Sequence, residues 1–148
     1  MLVTLALWGC DCDCNGGPFI GGSTTAGIST AAPVVVFISP AFSGPAAVIA
    51  CSPAIFDLRI VASTTVDLDR VTIHMIDGTN LGGPMVTVPR TDLVGQFGNT
   101  RILAGSTRTF TLRPNLVCTN PPRSVAADIT VMDSRGVSFG ATAQSPWP

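Results

Sequence analysis

FDLRIVASTTVDLDRVTIHMID, residues 56–77, decides the fold. It holds two runs in which apolar and polar side chains alternate. Phe56, Leu58 and Ile60 share one face of the first run, opposite Asp57 and Arg59. Val71, Ile73 and Met75 share one face of the second, opposite Arg70, Thr72 and His74. A period of two marks a half-buried β-strand, because successive side chains point to opposite sides of a sheet. The pattern predicts strands near Ile55–Ala62 and Arg70–Ile76, joined by a polar turn that contains Asp67-Leu68-Asp69.

The same punctuation continues in both directions. Upstream, Val34-Val35-Val36-Phe37-Ile38 is an apolar run bounded by Pro33 and by Ser39-Pro40. It reads as a first strand, with Pro33 pointing to a sheet edge. A short strand is expected near residues 46–51. Downstream, Asp77-Gly78 and Leu81-Gly82-Gly83-Pro84 mark a turn, and Met85–Val88 reads as a short strand. Leu93, Val94 and Phe97 have the spacing of a single helical turn, with Gly95 and Gly98 against anything longer. Arg101–Leu103 and Thr107–Arg113 read as further strands. Val125, Ala127, Ile129 and Val131 share a face and form a closing hairpin with Val137, Phe139 and Ala141, across the turn Asp133-Ser134-Arg135-Gly136. The tail 144–148 is expected to fray.

Composition agrees with short buried strands. Of 148 residues, 46% are hydrophobic and 11% charged, against ~25% charged in an average domain. Mean hydropathy is +0.47, yet no run approaches the ~18 apolar residues of a membrane-spanning helix. The basic side chains are all arginine and the acidic ones all aspartate; lysine, glutamate and tyrosine are missing. Losing two strong helix formers while Val, Thr, Ile and Gly dominate argues against long surface helices. A net charge of −1, with no basic patch, gives no electrostatic attraction to nucleic acid.

The five cysteines divide into Cys10, Cys12 and Cys14 near the start and Cys51 and Cys118 in the body. Met1–Trp8 is apolar and uncharged, like the hydrophobic region of a secretory signal. Leu7-Trp8-Gly9-Cys10 resembles the lipobox of bacterial lipoproteins, although Trp8 is bulkier than the residue usual at its place. The resemblance implies lipid attachment at Cys10, partnership with a membrane through that anchor, and a place at the bacterial cell envelope, on its periplasmic or surface face. Cys10-Asp11-Cys12-Asp13-Cys14 carries metal-binding residue types, but without the second C-x₂₋₄-C pair of a structural zinc site, so no metal is expected there. Residues 15–32 are uncharged and rich in Gly, Ser, Thr and Ala, the composition of a flexible tether. The division is therefore 1–9 signal-like, 10–32 anchor and linker, 33–143 domain, and 144–148 tail.

About seven to nine short strands with turn signals roughly every ten residues are the pattern of an all-β sandwich. Their order resembles immunoglobulin-like and fibronectin type III-like domains, which implies a Greek-key β-sandwich; a jelly roll or small barrel is the alternative. In such an order the two opening strands lie in opposite sheets, and Phe56, Leu58 and Ile60 face Val71, Ile73 and Met75 across the core. Antibody-type markers are missing, since no tryptophan lies between Cys51 and Cys118 and no tyrosine exists for a tyrosine corner. In an exported protein Cys51 and Cys118 are natural disulfide partners; the alternative is two buried free thiols.

No catalytic constellation emerges. His74 is the only histidine, on the polar face of its strand, and no G-x-S-x-G marks a serine nucleophile. Asp67, Asp69 and Asp77 are calcium-type ligands, but lone aspartates more often cap turns. Both tryptophans, Trp8 and Trp147, lie near the chain ends and build no sugar-stacking platform. The expectation is a non-enzymatic module without cofactor, which binds a protein or glycan partner. The alternative is a structural subunit that assembles through strand edges or its N-terminal arm.

Overall fold

Alternation becomes strand pairing along most of the described chain, which in the computed structural model comprises residues 32–42, 51, 54–78 and 82–148. Cys10, the signal-like and tether segments up to residue 31, and the strand expected at residues 46–50 lie outside them; Cys51 is in no strand. Among the described residues eight strands and one helix follow one another: β1 (Val34–Phe42), β2 (Ala54–Ala62), β3 (Val66–Asp77), β4 (Met85–Pro89), α1 (Arg90–Phe97), β5 (Arg101–Ile102), β6 (Thr107–Leu112), β7 (Pro122–Asp133) and β8 (Ser138–Pro146).

They form two antiparallel sheets. One has the order β1-β2-β6; the other has β4-β3-β7-β8, with β5 also paired to β3. The chain thus changes sheet between β2 and β3, returns for β6, and changes again for β7. This is an immunoglobulin-like Greek-key sandwich. The core is the two inner faces. Phe56, Leu58 and Ile60 of β2 and Phe110 and Leu112 of β6 are buried on one side; Val71, Ile73 and Met75 of β3 and Val125, Ala127, Ile129 and Val131 of β7 are buried on the other. Burying each such large apolar side chain stabilises by ~1.5–3 kcal/mol.

Four local expectations need correction. β3 begins at Val66, so Asp67, Leu68 and Asp69 are strand and only Ser63–Thr65 cross between the sheets. The reason is a β-bulge: Leu68 pairs with Val131 and Arg70 with Thr130, leaving Asp69 as an extra residue. Burial runs Val66, Leu68 and then Val71, Ile73, Met75, so the alternation changes phase at the bulge. β1 does not stop at Ser39 but continues through Pro40, which pairs with Phe56. Proline is tolerated there because, among the described residues, β1 is an edge strand with β2 as its ladder partner.

The helix is longer than one turn. It buries Leu93, and Phe97 meets the ring of Phe110 edge-on at a centroid distance of 5.1 Å. Finally, the domain does not end at residue 143. Gln144, Ser145 and Pro146 belong to β8. Trp147 donates its backbone N–H to the Arg123 carbonyl at 2.9 Å and lays its ring 6.2 Å from that of Phe56.

Candidate functional site

The two ends of the sandwich differ. At one end, Asp133 organises the β7–β8 turn. Its carboxylate accepts the backbone N–H groups of Arg135 and Val137 and the Arg135 Nε and Nη2, all at 2.8–2.9 Å. The Val137 N–H and then the Arg135 side chain hold this carboxyl below the usual carboxylate range. Gly136 sits at φ 82°, the left-handed conformation that the turn required of it. A cleft of about 340 Å³ lies here, between Pro33, Thr64, Thr65, Asp133, Ser134, Arg135 and Phe139. Its strongest charges are already satisfied by each other.

On the flank, Asp67 and Arg101 lie 3.6 Å apart beside a second depression lined also by Asn99 and Leu103. Asn99 is already engaged: its carbonyl groups receive the Arg108 guanidinium.

The other end gathers the β3–β4 turn, the β6–β7 loop and the start of β7. Cys51 and Cys118 are joined here by a disulfide, with Cα atoms 5.4 Å apart across a sequence separation of 67. Closing a loop of that length stabilises by ~4 kcal/mol in the chain-entropy model. Asn120, two residues on, donates to Asp77 Oδ2 at 3.4 Å.

The largest of the three clefts, about 570 Å³, opens at this end between His74, Ile76, Asp77, Gly78, Gly82, Arg123 and Ser124. A second bulge shapes it. Ile76 pairs with Ser124 and Asp77 with Pro122, so Arg123 is the extra residue on β7. Pro122 and Val125 are buried while Arg123 and Ser124 both face outward. The bulge therefore turns an arginine onto the same outer face as Ile76 and His74. A methyl group on Gly78 would stand 2.8 Å from Arg123 Nε, so the guanidinium lies close against the Gly78 backbone.

Beyond the cleft the outer face of this sheet is hydroxyl-rich. Thr87, Thr72, Asp128 and Thr142 stand in one row across β4, β3, β7 and β8. Thr72 and Thr87 share a hydrogen bond of 3.1 Å, and Thr142 donates to Asp128 at 2.6 Å.

His74 thus stands on the outer, half-buried face of β3, beside Met85 and Ala126. The aspartates considered for calcium are not brought together. Asp67 and Asp77 lie at opposite ends of β3, ten residues or roughly 33 Å apart along the strand. Among the described residues no group of three or more His, Cys, Asp or Glu side chains is placed to hold a metal ion, and no helix is long and apolar enough to cross a membrane. Sequence reading passed over Arg123. Its signal is the two outward positions between Pro122 and Val125, where a regular strand has one.

The chain matches no protein-family model and no curated protein. Its fold is similar to that of a solved X-ray structure, Northeast Structural Genomics Consortium target SoR45. That similarity covers 80% of this chain and 87% of the other, with a TM-score of 0.54 at 14% sequence identity. The likeness concerns the sandwich itself.

Proposed function

We propose that this chain is a non-enzymatic binding, adhesion or assembly module of the bacterial cell envelope, held at a membrane by acyl chains on Cys10. The observation that carries the reading is the Cys51–Cys118 disulfide. Such bonds persist in oxidising compartments and are rare in the cytosol of most organisms. The lipobox-like Leu7-Trp8-Gly9-Cys10 supplies an attachment point, and the uncharged residues 15–32 supply a tether. At ~5–6 Å × √n, eighteen such residues span roughly 20–25 Å, enough to hold the sandwich clear of a bilayer. Mass spectrometry of the protein isolated from its native host tests this. Acylated Cys10 as the first residue is expected; a chain that keeps Met1 with an unmodified Cys10 overturns it.

A second reading is supported by β6. Among the described residues it forms a ladder with β2 alone, and an unpaired strand edge is a template for another strand. A structural subunit would use that edge to assemble, with the N-terminal arm as donor. Size-exclusion chromatography with and without residues 1–32 separates the readings. Arm-dependent oligomers favour assembly, and a monomer in both forms favours the tethered module.

A further inference from the structure

We propose that the His74–Arg123–Ser124 cleft binds an oxyanion, a carboxylate or phosphate group carried by a small ligand. Four observations converge on it. The β7 bulge adds Arg123 to the outer face beside Ser124, and bulges are over-represented where a side chain must be re-aimed. Of the eight arginines, Arg59 lies over Phe37, Arg101 faces Asp67, Arg108 holds Asn99 and Arg135 holds Asp133; of the other four, Arg70, Arg90, Arg113 and Arg123, it is Arg123 that lines a described cleft. The Arg123 guanidinium has no hydrogen bond or ion pair among the described residues, and neither has the His74 imidazole.

Both groups nevertheless line the same cleft. Glycines keep it open: Gly78 lies under Arg123, and a methyl on Gly82 would stand 3.4 Å from His74 Nε2. Finally, Ser124 accepts from Gln144 Nε2 at 3.0 Å, which leaves its hydroxyl proton to donate. A planar guanidinium, an imidazole N–H and a hydroxyl are donors suited to oxygen anions, the guanidinium bidentately. Asp77 lines the same cleft as an opposing charge, and Asn120 donates to it from the β6–β7 loop.

The proposal rests on the binding-module reading and names the chemistry of its ligand. His74 is the only histidine in the chain, so its ring resonances report on the cleft without assignment. The full chain is titrated with inorganic phosphate and with sodium acetate, against sodium chloride at matched ionic strength. A saturable shift of the His74 ring signals with phosphate, acetate or both is expected, and which anion saturates assigns the group. Arg123→Gln is expected to weaken binding about tenfold, the loss of one charge-assisted contact. Arg70→Gln, on the same sheet face but outside the cleft, is expected to leave it unchanged. Shifts reproduced by chloride, or an equal loss in both variants, overturn the proposal as mere screening. That failure would leave the acyl anchor on Cys10 untouched, since mass spectrometry reads it independently.

Discussion

Arg108 donates to Asn99 through both terminal guanidinium nitrogens, to the side-chain carbonyl and to the backbone carbonyl, and to the Arg101 carbonyl beside it. These bonds tie β6 of the three-stranded sheet to the segment that enters β5 of the other sheet. The guanidinium also lies 4.7 Å above the ring of Phe110. One side chain thus closes the side of the sandwich at which β6 and β5 approach each other. Arg108→Ala is expected to lower unfolding free energy by about 2 kcal/mol, as hydrogen bonds from a charged donor are lost. Arg108→Lys should recover less than half, because an ammonium cannot reproduce the fork. Urea denaturation measures both, and an unchanged midpoint for Arg108→Ala would count against the clamp.

Asp69 is the extra residue of a bulge, so its deletion should leave the pairing intact. Without it, Leu68 still faces Val131 and Arg70 still faces Thr130, and the buried positions fall into unbroken alternation. Deletion of Thr72, inside the regular ladder, shifts every later residue of β3 to the wrong face. The first variant is expected to fold with a loss within about 2 kcal/mol, and the second to fail. Circular dichroism and amide exchange distinguish them. Two folded proteins, or two unfolded ones, would contradict the register described.

Trp147 closes the core end beside Phe56 and is fixed by its bond to the Arg123 carbonyl. Trp147→Ala should cost about 1–3 kcal/mol from lost apolar burial and ring contact. Removal of Pro148 alone should cost nothing measurable. Equal midpoints for the Trp147 variant and the parent would restore the frayed tail expected from sequence.

Asp133 makes the domain acid-sensitive at one turn. Its folded pKa lies below the ordinary 3.8, chiefly through the Val137 N–H and the Arg135 side chain. Its stabilisation is therefore fully present above that ordinary value and is lost as pH falls through the lower, folded one. Asp133→Asn keeps an acceptor for the N–H groups but loses the ion pair and the titration. The melting temperature of the variant should lie below that of the parent near neutrality, and the gap should close as pH falls below about 4. A gap that stays constant down to about pH 2 would exclude this carboxyl as its source.

The sandwich was legible because most of its strands keep strict alternation. Phe56, Leu58 and Ile60 announce one inner face and Val71, Ile73 and Met75 the other, and the structure places β2 and β3 in opposite sheets accordingly. Two cysteines alone in the body were likewise legible as a pair. What failed to show was every place where the backbone inserts a residue. A bulge breaks the period, and a broken period reads as a turn, so Asp67–Asp69 looked like loop. The same irregularity hid Arg123, and with it the candidate cleft, because two outward residues between Pro122 and Val125 read as the end of a loop. Trp147 was missed for another reason. Its burial depends on where β8 delivers it relative to Phe56, a distance that only tertiary structure sets.

The chain enters the sandwich at Pro33, whose carbonyl accepts from Ser63 N at 2.8 Å beside the sheet crossing, and leaves at Trp147, at the opposite end. A load applied between these points would shear β1 and β8 lengthwise along their neighbours. The covalent bridge from Cys51 to Cys118 would take most of the intervening chain out of that load path. With a separation of 67 residues at ~3.4 Å each, roughly 230 Å of contour length is withheld from extension. The enclosed strands β2 to β6 would remain a knot of fixed length while β1, β7 and β8 peeled away. Reduction of the bridge would therefore lengthen the fully extended molecule by about that amount, a difference a single-molecule stretching trace resolves directly.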